Sequence, residues 1–132
     1  MAGIIGKKLG MTQFFSADGK SIPCTMIEAG PCIVTQIKNL EKDGYESIQL
    51  GFDDKKLIKS NKSEIGHVKK VNTDVKKIYF EFKSNFMKTD SETGESSKRD
   101  LKLGDIIQVD LFKEGEYIDI ASTSKGKGFQ GV

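Results

Sequence analysis

Asp18-Gly19 and Asp43-Gly44 each stand between two stretches in which apolar residues fall at every second position. That combination of a two-residue turn signal with period-two alternation restricts the chain to a mainly β fold of short antiparallel strands. An apolar-rich run from Leu9 to Phe15 enters the first turn, and Ile22 to Glu28 leaves it with Ile22, Cys24 and Met26 on one face. Ala29-Gly30-Pro31 breaks the pattern. Cys32 to Lys38 resumes it with Ile33, Thr35 and Ile37 aligned, and beyond the second turn Tyr45 to Phe52 places Ile48, Leu50 and Phe52 on one face. Ile78, Phe80 and Phe82 alternate with Tyr79, Glu81 and Lys83 in a further strand. Ile107, Val109 and Leu111 share a face, and after a turn at Lys113 to Glu116, Ile118 and Ile120 form a last strand. Between Lys55 and Val71 the alternation stops, and Ser63 is placed to cap a short helix carrying Ile65 and Val68, with Gly66 inside it. The expectation is seven or so strands and one short helix, arranged as a small β-barrel.

At 132 residues the chain has material for one modest core, expected over residues 1–121. Residues 84–100 are rich in Ser, Thr, Asp, Glu and Lys, which predicts an exposed, mobile polar insertion within that domain. Residues 122–132 have no core periodicity and read as a basic, glycine-rich C-terminal arm leaving the barrel. No apolar run reaches the roughly 18 residues of a membrane span, so the chain is expected in the cytosol, without a membrane partner. Cys24 and Cys32 lie in apolar runs and read as small buried side chains in a reducing compartment. His67 is the one histidine and brings no metal-ligand spacing with it, so neither a metal nor another cofactor is called for.

A net charge of +2 looks weak for a nucleic-acid binder, but its distribution is uneven. Ten lysines against three acids give residues 55–88 a net +7, and both termini are positive at +2, while residues 21–54 and 89–121 are acidic. Part of the surface is therefore suited to a polyanion, although a solvated lysine face has the same signature. Two clusters interleave lysine with glycine: Gly6-Lys7-Lys8-Leu9-Gly10 and Lys125-Gly126-Lys127-Gly128-Phe129-Gln130-Gly131. Glycine lets a backbone approach a phosphate closely, lysine neutralises its charge, and Phe129 is available to stack on an unpaired base. A flexible linker has a composition like the second cluster's and stays open as a reading. Gly3-Ile4-Ile5-Gly6-Lys7-Lys8 lacks the glycine spacing and the Ser or Thr of a phosphate loop, so no nucleotide substrate is implied. A nucleophile with its base is likewise absent from the motifs; the alternative kept from another class is a small barrel enzyme shaped like a flavin reductase.

Gly3-Ile4-Ile5-Gly6-Lys7-Lys8-Leu9-Gly10-Met11-Thr12-Gln13, Ile27-Glu28-Ala29-Gly30-Pro31, Val34-Thr35-Gln36-Ile37-Lys38, Gln49-Leu50-Gly51-Phe52, Gly66-His67-Val68-Lys69-Lys70, Val109-Asp110-Leu111-Phe112 and Ser124-Lys125-Gly126-Lys127-Gly128-Phe129-Gln130-Gly131 follow one another along nearly the whole chain. In content and order this series resembles the N-terminal two-thirds of the bacterial large-subunit ribosomal protein three family. The resemblance implies a translation-protein-type β-barrel and a structural, non-enzymatic role on the ribosome. It further implies binding to 23S rRNA near its 3′ end, nucleation of subunit assembly and support of the peptidyl transferase region beside large-subunit proteins fourteen and nineteen. By matched motif, Lys7, Lys8, Gly10, His67, Lys69, Lys70, Lys125, Gly126, Lys127, Gly128 and Phe129 are the residues expected against RNA. The resemblance breaks off after Gly131-Val132, where the family continues into an inward loop and the strands that close its barrel. Residues 122–132 would then be the start of that rRNA-binding extension, the barrel would be incomplete, and the chain a truncated or partly ordered form. Residues 88–100 look like an insertion relative to the family.

Overall fold

The structure, a computed structural model, describes residues 3–83, 87–89, 96–98 and 101–131, the backbone alone at 87–89 and 96–98. Strands β1 (Gly6–Phe15) and β2 (Ser21–Ala29) form an antiparallel hairpin in which Phe14 faces Ile22 and Thr12 faces Cys24. Its connection runs over residues 16–20, with Ser16 N–H donating to Lys20 O at 3.0 Å and Gly19 at φ 76°. Asp18-Gly19 thus supplies the left-handed residue of a longer loop instead of a two-residue turn. A register shift between Lys8 and Gly10 leaves Leu9 as the extra residue of a bulge.

The main sheet begins with β3 (Cys32–Lys38), followed by the one-turn helix α1 (Leu40–Asp43) and β4 (Ser47–Asp54). Gly44, at φ 79°, ends α1 by donating its N–H to Leu40 O. The second Asp-Gly pair is therefore a helix terminus inside a longer hairpin connection. Helix α2 (Lys62–Lys69) and β5 (Lys76–Lys83) come next, then the short ribbon of β6 (Met87–Thr89) with β7 (Ser96–Lys98), and the two-residue β8 (Ile106–Ile107). Spatial order in the main sheet is β5-β4-β3-β8, all neighbours antiparallel. Of the expected polar insertion at 84–100, the ribbon is the described part; residues 84–86, 90–95 and 99–100 lie outside the described residues.

Cross-strand pairs fix the core. Leu50 faces Val34 on one side and Phe80 on the other, Ile48 faces Ile37 and Phe82, and Cys32 faces Ile107. Cys32, Val34, Ile48, Leu50, Phe52 and Ile107 are buried together, with Ile4 and Ile5 from the N-terminal segment packed against them. A bulge between Val34 and Gln36 changes which side chains of β3 point inward. Cys32, Val34 and Ile37 meet the core, where strict alternation predicted Ile33, Thr35 and Ile37 together, and Thr35 turns to the opposite face, its hydroxyl donating to Gln49 Oε1 at 2.9 Å. Cys32 is buried as expected and burial pushes its thiol pKa up; Cys24 is partly exposed, because its hairpin stands outside this core. Gly30, at φ 74°, marks a close approach: a Cβ there would lie 2.9 Å from Ile107 O.

The mainly β class is observed, with a different closure from the one expected. Among the described residues no sheet closes on itself, so the strands make an open four-stranded sheet, a hairpin and a ribbon instead of a barrel. The expected strands after Leu103 shrink to β8; Val109–Leu111 is a 3₁₀ turn, and Ile118 and Ile120 belong to no ladder and are exposed. Alternation prepares a segment to be a strand, but without a facing backbone its N–H and C=O groups stay with water.

Candidate nucleic-acid interface

Helix α2 packs on the polar face of the main sheet. Its start lies at Asn61, two residues before the predicted cap Ser63, and Glu64 accepts the Asn61 N–H at 3.0 Å. Val68 is the buried anchor of the helix. One turn's edge is pinned by His67, whose Nε2 lies 2.8 Å from Gln49 Oε1 and whose ring meets Tyr79 edge-on at 5.8 Å. Gln49 Oε1 also accepts the Thr35 hydroxyl, so Nε2 carries the proton in this contact and Nδ1 is the nitrogen left for an outside partner. Lys69 and Lys70 follow at the helix C-terminus, exposed, where the helix dipole favours cations.

The other predicted residues sit apart from α2. Lys7 and Lys8 are exposed on β1 beside the bulge, and Gly10 has nothing within 4 Å of where a Cβ would be. Lys125, Gly126, Lys127, Gly128 and Phe129 lie on an exposed segment without secondary structure, Phe129 being 97% exposed and Gly128 left-handed at φ 71°. Among the described residues no hydrogen bond or ion pair joins any two of these three clusters.

Counting charge along the sequence overstates the cations available to a partner. Lys38 pairs with Glu81 at 2.7 Å, Lys55 with Glu64 at 2.8 Å, Lys77 with Asp53 at 2.6 Å, and Lys76 with Asp54. The last two pairs follow from the β4–β5 register, which sets Asp54 opposite Lys76 across 22 residues of sequence. Among the described residues Lys7, Lys8, Lys56, Lys59, Lys62, Lys69, Lys70, Lys125 and Lys127 have no such partner. This sorting was invisible in the sequence, since each pairing depends on register or on how the helix docks.

The paired carboxylates set an acid limit on stability. Glu81 is held below its ordinary range chiefly by the hydrogen bond from Lys38, then by that from Tyr45; Glu64 is lowered chiefly by Lys55 and Asp53 chiefly by Lys77. Lys38 is shifted upward, mostly by Glu81, and stays charged. Lowered carboxylates add stability above their unfolded value, 4.5 for a glutamate, and lose it as pH falls through the folded value. The raised lysine adds stability below 10.5 and loses it at still higher pH. The melting midpoint is therefore expected to be level from about pH 5 to pH 10 as far as these pairs contribute, and to fall in more acid solution. Glu81→Gln should make that acid limb shallower by a modest amount, since solvent screens these exposed pairs; an unchanged acid limb in a thermal-melt series would contradict the assignment.

The open hollow lined by Leu40, Tyr45, Glu81 and Phe82 has Lys38 beside it, but an amine acts as base or nucleophile when its pKa is lowered, and this one is raised. Among the described residues no group of three or more His, Cys, Asp or Glu is placed to hold a metal ion, and no helix is long and apolar enough to cross a membrane.

Comparison with protein-family models gives no match. Among curated proteins, the large ribosomal subunit protein uL3 of Pediococcus pentosaceus is 48% identical over 130 residues, covering 98% of this chain. The chain spans 57% of that relative's length.

Proposed function

The chain belongs to the large ribosomal subunit protein uL3 family, and on that premise we propose that it is a structural, non-enzymatic, rRNA-binding component of the large ribosomal subunit, working in the cytoplasm. Its partner is 23S rRNA near the 3′ end, where it nucleates assembly and supports the peptidyl transferase region, with large-subunit proteins fourteen and nineteen as neighbours. Residues 1–121 act as the folded body, residues 84–100 as a polar insertion, and residues 122–132 as the start of an extension that follows the RNA. No small-molecule substrate or cofactor enters this function.

The observation that carries the reading is that Lys7, Lys8, Lys125 and Lys127 are exposed and unpaired among the described residues, beside glycines whose Cβ positions at 10, 126 and 128 are open. Exposed lysines outside any ion pair, next to backbone that an anion can approach, are what phosphate binding requires. Filter binding of the chain to a 3′-terminal 23S rRNA fragment across a potassium chloride series tests it. Affinity should fall linearly on a logarithmic scale with a slope of about −3 or steeper, as four or more neutralised phosphates demand. No affinity at low salt, or a slope near zero, would contradict it.

A further inference from the structure

The edge of a sheet is open to a further strand, and proteins close it by shortness, bulges, proline or free charge. Among the described residues most edges of this chain carry such a device: β8 has two residues, β6 and β7 have three each, β1 has the bulge at Leu9, and β2 contains Pro23. The outer edge of β5 has none of the first three. Its eight residues pair with β4 in an unshifted register, include neither proline nor glycine, and have no strand on their other side among the described residues. Lys76 and Lys77, which would otherwise repel a second strand, are engaged by Asp54 and Asp53. The core also runs out at this edge. Phe80 faces buried Leu50 and Ile78 faces buried Phe52, yet Phe80 is 58% exposed and Ile78 49%.

We propose that this edge is an interface with a second copy of the chain: the two β5 strands pair antiparallel about a two-fold axis at Tyr79, joining the two main sheets into one. The strand's own sequence selects that register. In an antiparallel pair, opposed residues point their N–H and C=O groups alike, so the axis falls on a residue, and Ile78, Tyr79 and Phe80 are the central choices. An axis at Phe80 sets Lys77 against the second copy's Lys83, and one at Ile78 sets Lys76 against the second copy's Phe80. With the axis at Tyr79, Lys77 meets the second copy's Glu81 and Ile78 meets the second copy's Phe80. Lys77 is held by Asp53 and Glu81 by Lys38, so acid and base alternate across the seam, while the exposed Ile78 and Phe80 of each copy cover those of the other.

Sedimentation equilibrium of the unaltered chain, free of RNA, should show the average mass rising toward twice that of one chain between about 1 and 100 µM, as a small interface gives. F80K places a charge on the seam and should keep the one-chain mass up to about 100 µM, with an unchanged circular dichroism spectrum. Cross-linking reads the register in a C24S background, Cys32 being buried. K77C mixed with E81C should give a disulfide-linked dimer on mild oxidation, because these positions face one another; either alone should give about a tenth as much or less, its own counterpart lying about 13 Å away along the strands. Should F80K fail to fold, the cross-linking alone decides. A one-chain mass for the unaltered protein at about 100 µM, association undiminished in a folded F80K, or K77C linking to itself as readily as to E81C would overturn the interface and leave the ribosomal reading untouched.

Discussion

K7Q/K8Q/K125Q/K127Q is expected to bind the 23S rRNA fragment about a thousandfold more weakly than the unaltered chain near 100 mM salt, with a salt slope shallower by about 3. Each lysine set against a phosphate releases a condensed counterion, contributing roughly 0.7 to 0.9 to the slope, so four of them account for that change. The fold should be untouched. All four side chains are exposed, none has an ion-pair partner among the described residues, and Lys125 and Lys127 lie beyond the last strand. Melting curves of the two proteins should therefore coincide within a degree or so, since surface substitutions of this kind shift stability by about 0.5 kcal/mol or less each. A variant that melts normally and retains the parental slope would show the terminal clusters to be bystanders.

Leu50→Ala should have the largest effect on stability. Leu50 is fully buried at the centre of the main sheet, between Val34 on β3 and Phe80 on β5, and belongs to a core of six buried residues. Truncating it removes transfer free energy and leaves a cavity, together about 3 kcal/mol in a range of 2 to 5. For a domain of this size that is a fall of roughly 10 °C in midpoint. Ile58→Ala serves as the control: Ile58 is 97% exposed and its truncation should leave the melt unchanged. A Leu50→Ala protein as stable as that control would mean the core has been assigned to the wrong face of the sheet.

The strands were legible in the sequence to the extent that packing alone decides them. Ile48, Leu50 and Phe52 alternate and all three are buried, because β4 is central and has a partner on each side. Where a second requirement enters, alternation misleads. Ile118 and Ile120 have the spacing of a strand and, among the described residues, no neighbour to pair with. The bulge after Val34 brings Ile37 onto the face of Cys32 and Val34 and leaves Thr35 on the other, so the aligned Ile33, Thr35 and Ile37 of the run do not stay together. Gly44 and Gly19 are left-handed, but both were expected in two-residue turns, and one dihedral serves a helix end or a five-residue loop as readily as a tight turn. In the candidate interface, residue identities were legible and residue availability was not. Lys55, Lys76 and Lys77 look like Lys56, Lys59 and Lys62 in the sequence, and become different once strand register and helix docking set Glu64, Asp54 and Asp53 against the first three.

The distance from four ammonium groups to RNA phosphate is the most direct measure of the whole account. In a structure of this chain assembled on 23S rRNA, Lys7, Lys8, Lys125 and Lys127 are each expected to place Nζ within about 4 Å of a phosphate oxygen, the reach of an ion pair. Finding all four in open solvent, away from any nucleotide, would contradict it.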